Sequence, residues 1–439
     1  MSNPLTPKFE NLAISRDGMH CRFTLAPYHV SYANTLRRVV ITGVETVAIK
    51  ADMNEKGNTT DVTVYRNNTP MTNEMLADRI GLLPLNVKDP LTFVPERYTF
   101  TLNVVNDTAE AMDVNASMFE VKEVRADEEE PVVIPNETFF QPSPITRDTA
   151  LIAVLRPKAT PAATEEGVHV VAKASVGTGR QHARYMPTSQ CSYKYTLDDD
   201  EERLKQFFDE WMAKHKNVSN PSSIDDEKLG ALKREFNLMA RNRCYKINDK
   251  NEPYSFDFEM ESVGVLPVQY ILKRACDVIE TMCAKYSNVK DGELPEELSI
   301  TPTQNRSIGF DFLFRGHDHT LGNLLQTWLV ENHIDGEAEP HVSYAGYSVP
   351  HPLRDEMVLR IGVDDGQEAT ARAALQAAAR GCAAFFSQTK YEWMRVNGMP
   401  GVPAPPGAGA AVAKGATADA RLTAARRKLA AAAMKGEVG

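Results

Sequence analysis

Hydrophobic positions in the first 55 residues alternate, then recur at helical spacing, and then alternate again. The segment CRFTLAP has strand character, and SYANTLRRVVITG after it can be capped by Ser31. Three apolar residues of this second segment repeat at steps of three and four: Ala33, Leu36 and Val40. Arg37 and Arg38 fall outside that apolar face. The pattern predicts a strand pair, a short helix and a further strand, VETVAIK.

Residues 56–188 have a different pattern of short alternating segments, rich in Asn, Thr and Pro. One amphipathic stretch, NEMLADRIGLLPL, interrupts them. The GTGR sequence at 177–180 lacks the third glycine of a dinucleotide-binding loop and predicts a turn. This region therefore reads as a separate, mainly β lobe.

Residues 198–245 predict an inserted helical hairpin. The acidic run DDDEE suits a helix start, and a second helix is expected to be capped near Ser223. The first helix should bury Leu204, Phe207, Phe208, Trp211 and Met212. The second should bury Leu229, Leu232, Phe236 and Met239.

The order strand, helix, strand, long helix then recurs along the chain. YSFDFEMES predicts a strand, and Pro267 stands at the start of a long helix. Its apolar seam comprises Val268, Leu272, Ala275, Ile279, Met282 and Tyr286. After a predicted linker, VKDGELPEELSITPTQN, come the strand SIGFDFLF, the helix TLGNLLQTWLVEN and two further strands. The closing helix repeats the seam with Ala371, Leu375, Ala378, Cys382, Phe385, Thr389 and Trp393.

Two short helices in these halves also share a sequence pattern. YANTLRRV at 32–39 and LGNLLQTW at 321–328 each carry a small residue, Asn, one variable residue and Leu. The match indicates two related halves that pack helix against helix, although a common helix-packing rule can produce it as well. Residues 397–439 follow as a Pro-, Gly- and Ala-rich tail, predicted to be disordered or partly helical.

The charge, the cysteine spacing and the distribution of apolar residues argue against several classes of protein. The formal charge of −10 argues against a direct grip on nucleic acid, which requires clustered Lys and Arg. Six scattered cysteines form no C-x-x-C pair, so neither a zinc knuckle nor a disulfide framework is expected. The sequence shows no secretion-signal pattern and no apolar run of membrane-spanning length, so we expect neither secretion nor membrane insertion.

The candidate catalytic motifs favour structural interpretations. His317 and His319 could meet one metal ion, but a site needs further ligands, whereas Asp318 or Thr320 can cap the helix that begins at Leu321. The acidic runs lack a phosphate-binding loop beside them, and no G-x-S-x-G nucleophile motif occurs. An exposed Arg pair is commonly a solvated flank, yet Arg is also favoured in protein interfaces.

Several motifs together resemble the assembly subunits of multisubunit RNA polymerases. YANTLRRVVITGVETVAIK and MTNEMLADRIGLLPL resemble the third-largest subunit of polymerase II, the archaeal D subunit and the bacterial α amino-terminal domain. GTGRQHARYMPTSQCSYKY is similar to the segment that returns from that family's second lobe. FRGHDHTLGNLL and YAGYSVPHPL resemble the small partner, the eleventh subunit or archaeal L.

The resemblance implies an α+β fold with two related dimerisation domains that pair through helices within one chain. The first domain would comprise 1–55 and 189–297, with the hairpin 198–245 inserted, and the β lobe 56–188 would interrupt it. The second domain would comprise 298–396. Joining two normally separate partners is familiar among large cytoplasmic DNA viruses, which suggests a viral origin and a cytoplasmic or virion location, with the nucleus as the alternative.

The resemblance also implies an assembly role without catalytic residues, metal or cofactor. The cysteine cluster that some D-type subunits use for a metal is missing from the second lobe. Residues implied to face the second-largest polymerase subunit are Asn34, Leu36, Arg37, Arg38, Asp78, Arg79, Gly81 and Pro84. Residues implied in the internal interface are Ala33, Val40, Leu272, Ile279, Leu321, Asn323, Leu324, Leu325, Leu375 and Phe385.

The expected partners are thus two large polymerase subunits and a smaller subunit near the platform, with DNA and RNA contacted only through the complex and no membrane. Two other functions stay open at this point. One is a metal-dependent nucleotidyltransferase that uses the histidines or the acidic runs. The other is a regulator that mimics the platform and captures a host's large subunits.

Overall fold

A computed structural model describes residues 6–52, 61–125, 130–158, 160, 164–218, 225–290, 292–303 and 308–400. Ser223, most of the acidic loop at 126–131 and the tail beyond residue 400 lie outside these ranges. The described residues form two compact units, one of residues 9–278 and the other of residues 6–8 and 279–400. The dimerisation-domain boundaries given above stay a prediction.

The first unit begins with a helix between strands, as the pattern predicts. Its elements up to the second helix are β1 (Lys8–Ile14), β2 (His20–Ala26), α1 (Val30–Thr42), β3 (Glu45–Ile49), β4 (Val62–Asn67) and α2 (Asn73–Gly81). The cap of α1 differs from the prediction: His29 rather than Ser31 is the cap, and its side chain accepts a hydrogen bond from the Ser31 amide. The imidazole Nδ1 supplies the acceptor that a serine hydroxyl would otherwise give.

The mainly β region follows. Its strands are β5 (Tyr98–Asn106), β6 (Met112–Asn115), β7 (Glu120–Glu123), β8 (Val132–Ile134), β9 (Leu151–Leu155), β10 (Glu166–Ala172) and β11 (Ala174–Thr178). They form a five-stranded sheet in the order β4-β10-β5-β7-β8 and two two-stranded sheets, β11-β3 and β6-β9. One buried cluster joins this region to β3, since it includes Val47 and Ile49 together with Phe100 and Ile80.

The remaining elements of the first unit complete a four-stranded sheet. They are β12 (Thr188–Tyr195), α3 (Glu201–Lys216), α4 (Asp226–Met239), β13 (Phe256–Ser262) and most of α5 (Val268–Ala284). The sheet has the order β1-β2-β13-β12, and Phe23 stacks on Phe258 within it at 5.1 Å. Helix α1 packs against β12.

The predicted hairpin forms as α3 and α4, which share a small core of Phe208, Met212, Phe236 and Ala240. Asp200 caps α3 by accepting a hydrogen bond from the Arg203 amide, as the acidic helix start suggested. The burial of Met239 was wrongly predicted, because its side chain is 69% exposed. Phe236 and Ala240 take the core-facing positions, and Met239 lines an open cleft beside Phe207 and Trp211.

The second unit contains β14 (Leu298–Pro302), β15 (Gly309–Arg315), α6 (His319–Leu329), β16 (Tyr344–Ser348), β17 (Glu356–Gly362) and α7 (Glu368–Val396). Its strands form one antiparallel sheet in the order β14-β15-β17-β16. Strand β14 corrects the linker prediction, since Leu298 to Pro302 pair in register with β15. Its short L-S-I-T alternation becomes a strand because β15 supplies the ladder of backbone partners.

Close approaches fix α6 within this unit. Helix α6 packs against α7 and against β16. Gly322 lies against the ring of Tyr347, and Gly381 of α7 lies against the indole of Trp328, so a side chain at either glycine would collide. A π-helical turn at Val330–Ile334 continues α6. Within the described residues, no helix combines the length and apolar content needed to cross a membrane.

Candidate functional site

Helix α1 divides its residues between a buried and an accessible side. The buried side comprises Ser31, Tyr32, Ala33, Thr35, Leu36, Val39 and Val40. Asn34, Arg37 and Arg38 are half-buried. Leu36 corrects the sequence-based assignment, because its side chain is 0% exposed and belongs to the core rather than to a partner-facing surface. The accessible side of α1 is therefore polar and carries two guanidinium groups.

Arg37 borders an open cleft of about 710 Å³, which we call the β12 cleft. Its walls come from α1, from β12 and from the segment after α4: Arg37, Cys191, Ser192, Tyr193, Lys194, Tyr195, Leu197, Asn242 and Tyr245. Arg37 Nε donates to Asn34 Oδ1 at 3.0 Å, which orients the guanidinium from within the helix. The lining contains two cations and no carboxylate, so the cleft is positive in a chain of formal charge −10.

The thiol in this cleft is unsuited to nucleophilic chemistry. Burial raises the pKa of Cys191 to about 12, and the nearby positive charge of Arg37 only partly opposes that effect. Burial likewise raises the pKa of Cys21 to about 12. A thiol with such a pKa stays protonated at neutral pH, whereas the thiolate is the reactive form. The cleft is thus suited to binding rather than to covalent catalysis.

Helix α2 is anchored to β9 by Arg79. Thr72 caps the helix, since its hydroxyl accepts a hydrogen bond from the Met75 amide at 3.3 Å. Arg79 donates from Nε to the carbonyl of Ile152 at 2.8 Å and from Nη2 to the carbonyl of Leu151 at 3.1 Å. Arg79 is exposed but already bonded inside the chain, so its role includes holding α2 on β9.

Four apolar side chains of α2, β9 and the residue after α2 are exposed, and α2 contacts β9. Met75 is 58% exposed and Leu82 is 62% exposed, and they lie near Arg79 on successive turns of the α2 region. On β9, Leu151 is 45% exposed and Val154 is 47% exposed. We call these four residues the α2–β9 surface. A rim of polar groups includes Asp78, which is exposed. Clustered apolar side chains with a polar rim are typical of protein-binding surfaces.

Gly81 and Pro84 differ in accessibility. Gly81 is buried, and a Cβ atom there would lie 2.9 Å from Ala51 Cβ and 3.1 Å from the carbonyl oxygen of Ile49. Pro84 is exposed and lines a second cleft of about 470 Å³, together with Asp17, Phe140 and other residues of the first unit. Gly81 therefore serves close packing, and only Pro84 of this pair offers a side chain to a partner.

The residues implied in the internal interface are largely buried. Ala33, Val40, Leu272, Ile279, Leu321, Leu324, Leu325 and Leu375 are at most 1% exposed. Asn323 and Phe385 are half-buried, and the adjacent Phe386 is fully buried. These burials fit apolar packing positions, while the pairing of two halves stays a prediction.

The three side chains of the motif His317-Asp318-His319 have different hydrogen-bond partners. Asp318 caps α6, since its Oδ1 accepts from the Thr320 amide at 2.8 Å. His317 Nε2 lies 2.8 Å from the hydroxyl of Tyr286, and His319 Nδ1 lies 3.3 Å from the hydroxyl of Tyr347. The helix-entry interpretation is thereby confirmed. The helix begins at His319, two residues earlier than predicted.

The described part of the chain also contains no candidate metal-binding site. No group of three or more His, Cys, Asp or Glu side chains there could hold an ion. The six cysteines are free and buried. Among the accessible features of the described residues, the β12 cleft and the α2–β9 surface both suit macromolecular contacts.

Comparison with protein families decides the identity. The family described as the RNA polymerase Rpb3/Rpb11 dimerisation domain matches residues 22–283, which is more than half of the chain. The chain belongs to this family. A second match to an Rpb3/Rpb11 dimerisation domain covers residues 310–392. The family assignment from sequence and the α+β fold class are both confirmed.

Three relatives that match this chain are named as RNA polymerase subunits. The DNA-directed RNA polymerase subunit Rpo3 of Methanosphaera stadtmanae is 24% identical over 60% of this chain and 92% of its own length. Rpo3 of Methanobrevibacter smithii is 26% identical over 62% of this chain and 94% of its own. The DNA-directed RNA polymerase II subunit RPB3 of Schizosaccharomyces pombe is 26% identical over 68% and 94%.

The sequence did not indicate several residues of these surfaces. Lys194, Asn242 and Tyr245 line the β12 cleft from segments about 150 and 200 residues away from α1, and no local pattern links them. Leu82 did carry a signal, because two adjacent leucines follow Gly81 and a helix end buries only one of them readily. Leu83 is 5% exposed and Leu82 is the exposed member of the pair.

Proposed function

We propose that this chain is a non-catalytic assembly platform of a DNA-directed RNA polymerase. The observation that carries the proposal is the presence of two Rpb3/Rpb11 dimerisation matches in one chain, at 22–283 and 310–392. The first resembles the third-largest type of subunit and the second resembles the eleventh. In this proposal the chain nucleates the association of two large subunits that hold the active site and the DNA.

The two halves would pair within the chain rather than between chains. The similar sequence motifs on α1 (residues 32–39) and α6 (residues 321–328) contain buried residues, including Ala33 and Leu324, that are suited to this pairing. Joining the halves replaces a bimolecular encounter by an intramolecular one, with an effective concentration on the order of millimolar. Fusion of this kind would suit a virus that encodes its own polymerase and transcribes in the host cytoplasm.

The second-largest subunit would contact two surfaces of the first unit. The polar side of α1 offers Arg37 and Arg38, and the α2–β9 surface offers exposed apolar side chains with Asp78 and Pro84 nearby. Arginine and methionine are enriched in protein interfaces, and exposed apolar patches with a polar rim mark interaction sites. A smaller polymerase subunit would lie near the platform, and nucleic acid would be held by the other subunits because this chain is acidic.

Affinity purification from the native cell tests this function. The full chain would carry a tag and be purified in low salt, and its partners would be identified by mass spectrometry. We expect two very large polymerase subunits and template-dependent RNA synthesis in the eluate. Nucleotide transfer by the isolated chain would instead identify an enzyme, and capture of an inactive host polymerase would identify a regulator.

A further inference from the structure

Strand β12 is the last strand of its sheet. It pairs with β13 on one side, and within the described residues no strand pairs with its other side. Pro187 accepts from the Val263 amide at 3.0 Å, and the Thr196 amide donates to Ser255 at 3.0 Å. In an antiparallel ladder, residues that bond to the neighbouring strand alternate with residues whose backbone groups point away. A register shift separates Thr188 from Gln190, so the Thr196 bond is the one that fixes which residues from 190 to 195 face outward.

The alternation directs the backbone groups of Ser192 and Lys194 toward β13. The N–H and C=O groups of Cys191, Tyr193 and Tyr195 consequently point away from the sheet, along the β12 cleft. Unpaired strand edges of this kind are templates for pairing with another polypeptide. The cleft beside β12 thus has backbone donors and acceptors along one wall.

The segment after α4 contributes to the cleft. The Lys246 amide donates to the carbonyl of Thr196 at 3.0 Å, and the Asp198 amide donates to the carbonyl of Cys244 at 2.9 Å, so this segment pairs with the residues that follow β12. Asn242 and Tyr245 line the cleft, so the inserted hairpin helps to shape it.

The charges of the cleft favour an acidic occupant. Arg37 lines it and uses one of its five N–H donors on Asn34, and no carboxylate lines this cleft. Lys194 lines it as well but also borders a neighbouring cleft that contains Asp199, Asp257 and Glu259. An arginine fork binds a carboxylate with two parallel hydrogen bonds. A nucleic-acid strand fits less well, because two cations would neutralise few phosphates.

We propose that the free edge of β12 receives an extended acidic segment of the second-largest polymerase subunit by strand addition. A carboxylate of that segment binds the guanidinium of Arg37, and its backbone pairs with the outward groups of Cys191, Tyr193 and Tyr195. This inference rests on the proposed platform function. It also gives the hairpin of α3 and α4 a role, since Asn242 and Tyr245 of its return segment line the groove.

Backbone substitution at Tyr193 tests the strand addition. Tyr193→Pro removes an outward N–H, while Tyr193→Ala removes the same ring and keeps that N–H; proline is tolerated on an edge strand when its missing N–H faces away from the sheet. Full-length variants would be co-expressed with the second-largest subunit, and affinity would be measured on the purified proteins. We expect Tyr193→Pro to bind about tenfold more weakly than Tyr193→Ala. Equal affinities of two folded variants would overturn the proposal.

A crosslinking measurement decides the matter even if the proline variant fails to fold. A photoreactive amino acid at the exposed Ser192 position would be activated in the assembled full-chain complex. We expect its crosslink to map to an acidic, extended segment of the second-largest subunit, and to disappear with Arg37→Glu. Crosslinks only to another protein or to RNA, or none in an intact complex, would contradict strand addition. If the wild-type chain does not bind the large subunit, the proposed function itself fails.

Discussion

The guanidinium of Arg184 lies against Gly81, so that a Cβ atom at position 81 would come within 2.9 Å of Arg184 Nη1. Arg184 is held there by bonds from Nη1 to the Ile49 carbonyl at 3.0 Å and from Nη2 to Asp52 Oδ1 at 2.8 Å. Its side chain is only 4% exposed. The glycine at the end of α2 therefore allows the helix to approach a fixed, buried cation.

Gly81→Ala should consequently destabilise the fold. The added methyl group must displace Arg184 or move α2 away from β3, and such overpacking costs about 1–3 kcal/mol. Urea unfolding followed by circular dichroism measures the change. Gly230→Ala on α4 is the control, because its Cβ would have only one neighbour, 4.0 Å away, and alanine favours a helix. A Gly81→Ala variant as stable as the wild type would refute this packing role.

Arg38→Ala should leave the fold intact and weaken binding to the second-largest subunit. Arg38 is half-buried on the polar side of α1, outside the core-facing residues of that helix. Arginine is enriched among the interface residues whose truncation weakens binding most, and we expect Kd to rise about tenfold. Lys205→Ala removes an exposed cation from α3 as a charge-matched control. Unfolding of the variant, or normal binding, would rule out the role assigned to Arg38.

Leu82→Asp tests the α2–β9 surface. The side chain is 62% exposed, so an aspartate there is solvated in the free protein and the melting temperature should change little. In a complex the carboxylate would be desolvated against an apolar partner surface, and binding should fall at least about tenfold. Leu238→Asp on α4 is matched to it, since Leu238 is 82% exposed. Comparable losses in both variants would mean that the effect is not specific to this surface.

Asp311 predicts a pH dependence of stability in the second unit. Arg360 donates from Nε to Oδ1 at 2.6 Å and from Nη2 to Oδ2 at 2.8 Å, and these hydrogen bonds lower the pKa of Asp311 from its ordinary 3.8. A depressed folded-state pKa means that the stabilisation is present above the unfolded-state pKa and is lost as pH falls through the folded-state pKa.

The free energy of unfolding should therefore fall more steeply in the wild type than in Asp311→Asn between about pH 5 and about pH 2. Urea titrations at several pH values measure both slopes. Asp107→Asn serves as the control, because Asp107 is exposed and no ion pair to it occurs among the described residues. Parallel curves for wild type and Asp311→Asn would show that the Arg360 pair contributes nothing.

Asp318→Ala separates helix capping from metal binding. Loss of the cap should cost about 1 kcal/mol of stability, whereas Asp318→Asn keeps an oxygen acceptor for the Thr320 amide and should cost less. Zinc should leave the melting temperature unchanged in the wild type. A zinc-dependent increase that disappears in His317→Ala and His319→Ala variants would restore the metal interpretation.

Local sequence patterns predicted the secondary structure well for helices and strands that bury only one of their sides. Helix α1, the α3 and α4 hairpin and the strand–helix repeats follow from apolar residues at helical or alternating spacing, because each pattern buries one side whatever the partner element is. The secondary-structure predictions that failed concern one helix cap, one strand and one side chain. His29 replaced Ser31 as a cap, Leu298–Pro302 became a strand because β15 supplied a partner, and Met239 lines an open cleft instead of entering the core of α3 and α4.

The sequence by itself determined the class of protein, since its motifs repeat in two halves and identify the Rpb3/Rpb11 family. Tertiary structure decided which motif residues are accessible. Leu36 and Gly81 belong to motifs implied in partner binding, yet both are buried, and Arg79 is bonded to β9. The β12 cleft also arose only on folding, because its walls come from segments far apart in sequence. The spacing of apolar residues indicates which side of one helix or strand is buried, whereas a binding surface depends on which helices and strands pack together.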